Sequence, residues 1–463
     1  MTPQILNSYA QCYDFIFSSL ELDFLSIREF ESRCPDGPIL EVGAGSGKLL
    51  NLGLDRELIL VEDDPDMLTI LRERLELNPS KGKYIEGNAL RLPVPDESVA
   101  GVVYAINTLS EMSPILFALN EAHRVLKQDG FIYFVVENPS AVDKRTYRLK
   151  KKRDNNGKIY SYSLSMVPIP RLGKRAFQTK FEIHDENREH TFLVSHTLPT
   201  VHEWKSMLEL VGFNGLSVFG SYMLDEFKED DSHQILIFAQ KRASAPANKT
   251  LPPAVEEYFD GLAPIYDQVV QKVEYKVPEW LYSFSSEFEG MHLRYLDLGC
   301  GNGIIGRTLQ SYGLKGSYYG IDISKKMVQE CRRYSGYNGV VTANLEEDVP
   351  LQEESYFHVV TVFGLTEFVG DIDKLLRRVR GLLAVGGECW ISFEKTLQQT
   401  TPSGEIDPRI NMRKYHYSRE EIEKLVDSAG LRVIQMDERF SYFSSTYGAN
   451  FFNFFVRLRR ESF

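Results

Sequence analysis

The sequence has few cysteines, no long hydrophobic run and no excess of basic residues. No apolar stretch approaches the roughly 20 residues that a membrane-spanning helix needs, and the first 20 residues carry no basic segment followed by a continuous apolar run. We therefore expect a cytoplasmic protein without a membrane span. The cysteines form no Cys-x-x-Cys pair, which argues against a disulfide framework and against a thiolate zinc site. They are Cys12, Cys34, Cys300, Cys331 and Cys389.

The charge balance narrows the class of partner. With 53 basic and 65 acidic residues, the formal net charge is -12, which argues against a mainly electrostatic nucleic-acid binder. One basic run, Arg148–Arg153, could contact a phosphate group, a nucleic acid or an acidic lipid surface, but in so acidic a chain such a run is more often a solvated loop.

Histidine recurs every six residues in one part of the chain, which raises the question of a metal site. This spacing fits neither one face of a helix nor the ligand spacings of known zinc sites, and no cysteine or acid pattern accompanies it. We therefore expect no metal. The residues are His184, His190, His196 and His202.

Two glycine-rich stretches of similar design indicate a duplication. At 463 residues the chain exceeds what one hydrophobic core usually supports, so two domains are expected. Ile39–Gly47 and Leu296–Gly303 each consist of an apolar run, one acid and glycine at every second position. The strands and helices predicted after the first stretch recur after the second at an offset of roughly 256 to 260 residues.

The repeated order of elements predicts an α/β fold in both halves. Strands alternate with helices and each half ends in a strand pair, so we predict a doubly wound, mostly parallel seven-stranded sheet with helices on both faces. The first domain would span residues 1–242, with an insertion at about 138–200, and the second would span residues 255–463. Residues 243–254, rich in small residues and proline, would be the linker.

Two classes of ligand compete for the glycine loops. Gly301, Gly303 and Gly306 match the dinucleotide fingerprint G-x-G-x-x-G, so a nicotinamide enzyme must be considered, although the first copy has Leu50 at the last position. An acid stands two residues before the first glycine in both copies. A carboxylate there suits a ligand with an ammonium group better than a pyrophosphate.

These stretches resemble the class I S-adenosylmethionine-dependent methyltransferases, over nearly the whole chain and twice. The resemblance implies a Rossmann-like methyltransferase fold in each half, with S-adenosylmethionine as the cofactor. In this family, the glycine loop and its acid hold the methionine part of the cofactor, and the acid after the second strand binds the ribose. The residue pair after the third strand lies beside the adenine, and the end of the fourth strand lines the amino-acid end of the cofactor. By position these are Glu41, Gly43, Gly45, Gly47, Glu62, Asn88, Ala89 and Ile106 in the first copy, and Asp297, Gly299, Gly301, Gly303, Asp322, Asn344, Leu345 and Phe363 in the second.

This chain departs from the family at the adenine pair, where Asn88 and Asn344 replace the usual acid. An asparagine carbonyl can still accept a hydrogen bond from the adenine amino group. The Tyr-Asp pairs at Tyr13 and Tyr266 resemble those that precede the core in members acting on small molecules.

No residue is identified as the catalytic base. Candidates near the expected pocket are Glu111 and Glu367 after the fourth strands, and Tyr415 and His416 in the second copy. For the two glutamates, a surface carboxylate that caps the following helix is an equally good interpretation, and for His416 a plain loop histidine before a capped helix is the commoner one.

The acceptor is expected to be a small molecule. Neither copy has the Asn-Pro-Pro-Tyr or Asp-Pro-Pro-Tyr motif of amide and adenine methylation, or a Pro-Cys nucleophile for cytosine. Two copies suggest two methylations, at oxygen, nitrogen or carbon. The alternatives are one active domain beside a degenerate binding domain, a scaffold that takes up no cofactor, and a nicotinamide-dependent oxidoreductase. The sequence indicates no oligomeric state.

Overall fold

The computed structural model describes residues 8–17, 25–77, 82–144, 150–153, 159–170, 175–184, 189–242, 255–334, 336–396, 402–444 and 447–461. The chain forms two compact units, the first mainly from Met1–Ala245 and the second mainly from Pro246–Val349 and Glu353–Phe463. The predicted linker at 243–254 lies outside the described residues, as does part of the basic run. No helix in the described ranges is long and apolar enough to cross a membrane.

The first unit alternates strands and helices up to its fifth strand and then inserts a run of antiparallel strands. Its elements are α1 (Tyr9–Phe17), α2 (Leu25–Arg33), β1 (Ile39–Val42), β2 (Leu58–Glu62), α3 (Pro65–Leu77), β3 (Gly82–Glu86), β4 (Val99–Tyr104), α4 (Thr108–Glu111), α5 (Ile115–Val125), β5 (Leu126–Glu137), β6 (Lys150–Arg153), β7 (Ile159–Pro168), β8 (Ala176–His184), β9 (Glu189–Thr197), α6 (Val201–Val211), β10 (Phe213–Phe219) and β11 (Gln234–Lys241).

The main sheet of the first unit has seven strands in the order β10-β11-β5-β4-β1-β2-β3. The five strands from β5 to β3 in this order run parallel, while β11 is antiparallel to both of its neighbours. Every residue of β1, β2 and β4 is buried. Continuous burial of this kind is typical of parallel strands covered on both faces, so the apolar runs in the sequence become the centre of the sheet.

The insertion folds into a separate four-stranded antiparallel sheet, β6-β7-β8-β9. Its apolar side packs against α1: Cys12 and Phe15 form one cluster with Tyr160, Phe181 and Ile183. The sequence predicts only an insertion at about 138–200, without a sheet of its own. The structure shows that alternating apolar residues in β7, β8 and β9 support the helix that precedes the glycine loop.

The second unit repeats the alternation without the inserted sheet. Its elements are α7 (Val255–Leu262), α8 (Tyr266–Lys272), α9 (Val277–Ser285), β12 (His292–Leu298), α10 (Ile304–Ser311), β13 (Lys315–Asp322), α11 (Lys325–Tyr334), β14 (Tyr337–Thr342), β15 (Phe357–Val362), α12 (Ile372–Leu382), β16 (Leu383–Glu394), β17 (Ile406–Asp407), β18 (Met412–Arg413), α13 (Arg419–Ser428), β19 (Arg432–Ser444) and β20 (Ala449–Arg459).

Its main sheet has the order β14-β13-β12-β15-β16-β20-β19, which matches the first sheet strand for strand. The strands from β14 to β16 are parallel, and β20 pairs antiparallel with both β16 and β19. The prediction of two doubly wound, mostly parallel seven-stranded sheets is therefore confirmed.

Two segments of the first unit have irregular backbone. The glycine loop is followed only by a 3-10 turn, Lys48–Leu52, between two left-handed glycines, Gly47 and Gly53. Within β5, the pairing with β4 jumps from Leu126 to Phe131, so the residues between them form an irregularity in the strand.

One glycine of the second unit is required by packing. A Cβ built on Gly306 would lie 2.3 Å from the ring of Tyr337. We expect Gly306→Ala to lower the free energy of unfolding of this unit by about 1 to 3 kcal/mol, because tight cores do not absorb an added methyl group. Urea unfolding followed by tryptophan fluorescence in a Trp204→Phe background reports on Trp280 and Trp390, which lie in the second unit.

Gly381→Ala is the matched control, since a Cβ there meets nothing within 4 Å. It should leave the unfolding midpoint unchanged or raise it slightly. Equal midpoints for the two variants would show that Tyr337 does not fill the space against Gly306.

Candidate functional site

The two glycine loops have the same backbone. Gly43, Gly45 and Gly47 have φ of 66, 54 and 78°, and Gly299, Gly301 and Gly303 have φ of 74, 52 and 83°. Residues with a Cβ rarely adopt this left-handed conformation, so glycine at every second position is required by the turn itself. Each loop follows a buried strand and lies at the carboxyl end of its parallel sheet, where ligands bind in open α/β folds.

A carboxylate at the end of the next strand holds each loop. The Gly45 N–H donates to Glu62 Oε2 at 2.6 Å, and the Gly301 N–H donates to Asp322 Oδ2 at 2.8 Å. The other oxygen of Glu62 accepts from the N–H groups of Asp63 and Asp64 at 3.0 Å each. Burial raises the pKa of both acids, and these backbone donors oppose that rise. The acids thus fix the loops and also line the cavities described next.

The first unit has a cavity of about 460 Å³ above the carboxyl ends of its strands. This is within the range of roughly 300 to 1,000 Å³ typical of small-molecule sites. Its wall includes Glu62, the turn Gly87–Leu90, Tyr9, Tyr13 and Glu111. The predicted residues at the cavity are Glu41, Gly43, Gly45, Glu62, Asn88, Ala89, Ile106 and Glu111, whereas Gly47 is not at its wall.

The corresponding cavity of the second unit is much smaller, about 80 Å³. Helix α7 closes it: Phe259 lies on the wall and packs edge-to-face on Phe368 at 5.6 Å. Asp260 ties the helix down by accepting from the Ser324 hydroxyl at 2.5 Å and the Lys326 N–H at 3.1 Å. The predicted residues at this cavity are Gly299, Gly301, Asp322, Asn344, Leu345 and Phe363, whereas Asp297 and Gly303 are not at its wall.

The two asparagines that replace the usual acid both shape a turn. Asn88 Oδ1 accepts from the Leu90 N–H at 2.8 Å, and Asn344 Oδ1 accepts from the Glu346 N–H at 3.1 Å. Asn88 also donates to Asp63 at 2.9 Å. The side chains therefore fix the backbone beside each cavity, and each carbonyl oxygen retains a second lone pair.

The acids that precede the glycines differ between the units. Asp297 is buried and accepts from the hydroxyls of Tyr337 at 2.5 Å and Thr361 at 2.7 Å. Glu41 is equally buried, but its Oε2 has no hydrogen-bond partner. The reason is visible in the sheet register: Asp297 is paired with Thr361, while Glu41 is paired with Val103. The pKa of Asp297 rises to about 6 through burial, against the two hydroxyl donors, and burial raises that of Glu41 well above its usual value.

The third glycine of the apparent dinucleotide fingerprint has a different role. The Gly306 N–H donates to the Tyr337 hydroxyl at 3.1 Å, and the same hydroxyl donates to Asp297. Tyr337 thus occupies the space that this glycine leaves open. The pattern G-x-G-x-x-G in the second copy follows from the packing of a tyrosine.

Glu111, a candidate base, lies at the first cavity. It keeps 39 % side-chain exposure there, and its Oε1 is 3.9 Å from His196 Nδ1. Desolvation and the charge of Glu62 raise the pKa of Glu111 to about 8. His196, from the inserted sheet, is buried between the hydroxyls of Ser110 at 3.2 Å and Thr179 at 2.9 Å. Burial lowers the pKa of His196 to about 4, so the imidazole is neutral at pH 7.

The candidates of the second unit form a buried polar cluster. Glu394 is fully buried and accepts from Lys414 at 2.7 Å and from the Tyr442 hydroxyl at 2.8 Å. His416 Nε2 lies 3.0 Å from the same carboxylate. These partners lower the pKa of Glu394 despite its burial, whereas burial and the charge of Glu394 raise the pKa of Glu367 to about 7.

The second-unit candidates are near the small cavity rather than on it. Leu365 and Phe368 line the cavity on either side of Glu367, whose Oε2 is buried without a hydrogen-bond partner. The backbone N–H of Tyr415 donates to the Glu367 carbonyl at 2.9 Å, but neither Tyr415 nor His416 is at the wall.

Several residues of these sites escape sequence reasoning. Thr361 is identified only by the sheet register, Tyr337 only by its hydrogen bonds with Asp297 and Gly306, and Phe259 only by the position of α7. Lys48 lines the first cavity and follows the last loop glycine directly, where the second copy has Ile304. A residue-by-residue comparison of the two loops would have revealed this difference.

Comparisons with known proteins match both halves of the chain. Two family models, each described as a methyltransferase domain, match residues 40–134 and 296–389. Among curated relatives, a ubiquinone biosynthesis O-methyltransferase of Bordetella avium is 27% identical over 118 residues, covering 25% of this chain and 46% of its own. A demethylmenaquinone methyltransferase of Chlamydia caviae is 31% identical over 140 residues, covering 27% and 57%. The chain thus spans about half the length of the curated relatives it matches.

Similar solved structures include two from Streptomyces. The CcbJ methyltransferase of Streptomyces caelestis is 18% identical with a TM-score of 0.39, covering 46% of this chain and 86% of its own. DesVI of Streptomyces venezuelae is 17% identical with a TM-score of 0.41, covering 52% and 100%.

The raised pKa of Glu367 makes a testable prediction about stability. The folded state holds its proton up to about pH 7, while the unfolded state releases it near the ordinary value of 4.5. This group therefore stabilises the fold at low pH, and the contribution is lost as pH rises from about 4.5 to 7. We expect Glu367→Gln to gain stability relative to the parent by roughly 2 to 3 kcal/mol between pH 5 and pH 8.

Urea unfolding at a series of pH values measures this difference. The exposed Glu405, in the same unit, gives the control variant Glu405→Gln, whose difference from the parent should not change across this range. A pH-independent difference for Glu367→Gln would contradict the assignment of a proton to this buried carboxyl group.

Proposed function

Because the chain belongs to the class I S-adenosylmethionine-dependent methyltransferases, as a tandem duplication of two such domains, we propose that it methylates a small-molecule acceptor with one cofactor site in each unit. The observation that carries this proposal is the repeated geometry of the loop and acid: Glu62 holds Gly45, and Asp322 holds Gly301, in identical backbone settings. The domains would follow the boundaries 1–242 and 255–463.

The cofactor supplies an activated methyl group on a sulfonium, and the residues present fit its binding groups. The orphaned Oε2 of Glu41, buried at the first cavity, suits an ammonium group. Glu62 and Asp322 each keep free lone pairs beside their backbone donors and can accept from ribose hydroxyls. The turns at Asn88 and Asn344 would border the adenine.

In the first unit, the wall formed by Tyr9, Tyr13 and Glu111 would hold the acceptor. The aromatic rings bind an apolar body and exclude water, which aligns the acceptor for an in-line displacement. With a pKa of about 8, Glu111 carries its proton at pH 7 and would donate a hydrogen bond to the acceptor. It becomes a proton acceptor only at higher pH, so a nucleophile that must lose a proton would react faster above pH 8.

In the second unit, the cavity must widen before it can hold a ligand. Displacement of Phe259 with helix α7 would open it, since that ring and Phe368 close the same wall. Glu367 would then face the acceptor side as the proton-carrying group, with Glu394, Lys414 and His416 behind it. Two methylations follow if both units take acceptor, and a single active unit remains the alternative.

The acceptor class rests on the walls of the first cavity and on the relatives. Relatives named for ubiquinone biosynthesis and for demethylmenaquinone suggest a small molecule with an aromatic or apolar body. The nicotinamide alternative is weakened because Tyr337 explains Gly306, and the first copy has Leu50 at the corresponding place. A nucleic acid is disfavoured by the net charge of -12.

Calorimetric titration with S-adenosylhomocysteine tests the proposal. We expect two sites per chain in the parent protein, because both loops are held in the binding conformation. Glu62→Ala should abolish the first site and Asp322→Ala the second, since each substitution removes both the loop anchor and the predicted ribose partner.

Glu57→Gln, at an exposed position just before β2, is the control and should leave both sites intact. A parent protein without any uptake would contradict the enzyme proposal. Uptake of S-adenosylhomocysteine at a single site would contradict two active units and leave the alternative with one active unit. A rise in NADH fluorescence on mixing with the protein would support the oxidoreductase alternative instead.

A further inference from the structure

One acidic and one basic side chain line the first cavity, and each has a buried polar atom without a hydrogen-bond partner in the protein. These atoms are the Glu41 Oε2 atom and the Lys48 Nζ atom, both shielded from solvent and both without a hydrogen bond. A buried polar group that lacks a partner costs free energy, so such groups in a cavity indicate what the cavity is built to receive. A cavity with one unpartnered acid and one unpartnered amine suits a ligand that carries both an ammonium and a carboxylate.

The surroundings of Lys48 hold its amine in place but do not neutralise it. The Nζ atom lies 4.4 Å from the ring centre of Tyr13 and 4.7 Å from that of Phe17, both on α1. The nearby acid, Asp14, pairs with Arg74 at 2.6 Å. The other nearby amine, Lys152, donates to the Phe15 carbonyl at 2.7 Å.

The second unit lacks both features of this arrangement. Its loop acid is satisfied by Tyr337 and Thr361, and Ile304 stands in the place of Lys48. The contrast lies at these positions of the loop, since the loop backbones are similar and Glu62 and Asp322 make the same hydrogen bond to the second loop glycine. The two sites therefore differ in how they hold a charged end group.

We propose that Lys48 adds a carboxylate-binding group to the cofactor site of the first unit, so that Lys48 and Glu41, the acid already assigned to the ammonium, form a charge-paired subsite for the amino-acid end of the cofactor. The inference rests on the proposed function of this cavity. The second unit would hold the same end group mainly through its loop backbone. Lys48 is thus a binding residue that distinguishes the two copies.

Proton exchange should accompany binding at this subsite. In the free protein, burial lowers the pKa of Lys48 to about 7, where Asp14 opposes the decrease and Arg74 and Lys152 add to it. Burial and the charge of Glu62 raise the pKa of Glu41. A zwitterion favours the charged form of both, so binding shifts Lys48 toward its protonated form and Glu41 toward its deprotonated form. The two proton exchanges have opposite signs and offset each other in the parent.

Calorimetry on the full chain with the second site removed by Asp322→Ala tests the proposal. The probes are S-adenosylhomocysteine and 5′-methylthioadenosine, which shares the nucleoside and sulfur but lacks the amino-acid end. We expect Lys48→Met to weaken S-adenosylhomocysteine binding about 10- to 100-fold, the range for a lost charged hydrogen bond, and to leave 5′-methylthioadenosine binding unchanged. Glu41→Gln should do the same.

The proton count supplies an independent readout. Titration at several pH values around 7, in buffers of different ionisation enthalpy, should shift the proton exchange toward release with Lys48→Met and toward uptake with Glu41→Gln, each relative to the parent. Ile304→Met, the matched control, is made in a chain that retains Asp322 and should not change either site. Lys48→Arg, which keeps the charge, should restore part of the affinity.

The outcomes separate this inference from the function on which it rests. If the parent chain binds neither probe, the proposed function fails and the inference with it. If S-adenosylhomocysteine binds but Lys48→Met weakens both probes equally, or weakens neither, the cofactor site stands and the charge-paired subsite is overturned.

Discussion

The site geometry in both units depends on one hydrogen bond, from the second glycine of the loop to the acid that ends the neighbouring strand. This bond is 2.6 Å long at Glu62 and 2.8 Å at Asp322. It is possible because the loop glycines adopt left-handed φ values, which turn the amide toward the next strand. The bond orders the loop before any ligand arrives, and preorganisation of this kind lowers the entropy cost of binding.

The two units share this hydrogen bond but differ in the elements that enclose the cavity beside the loop. In the first unit, the inserted sheet supports α1 through an aromatic cluster and leaves a cavity of about 460 Å³. In the second unit, α7 is tied by Asp260 and leaves about 80 Å³. The buried acids before the glycines also differ between the units: Asp297 accepts hydrogen bonds from two hydroxyls, whereas the Oε2 atom of Glu41 has no hydrogen-bond partner. The duplication therefore preserves the loop and varies its surroundings.

The sequence predicts what depends on local pattern. The paired glycine loops and the two seven-stranded sheets follow from apolar runs and from glycine spacing, which are properties of short stretches. The acids Glu62 and Asp322 follow from the resemblance to the methyltransferase family. The features that it misses depend on distant contacts. That Asp297 is satisfied and Glu41 is not depends on whether Thr361 or Val103 lies opposite in the sheet. Likewise, the fingerprint glycine Gly306 cannot be interpreted until Tyr337 is known to fill its space.

The central claim is that both units hold the same cofactor by the same loop and acid. A crystal structure of the full chain grown with S-adenosylhomocysteine tests it most directly. The account predicts one ligand in each unit, with the ribose hydroxyls on Glu62 in the first and on Asp322 in the second, and with α7 displaced. Ligand absent from both cavities, or bound away from these two carboxylates, would contradict it.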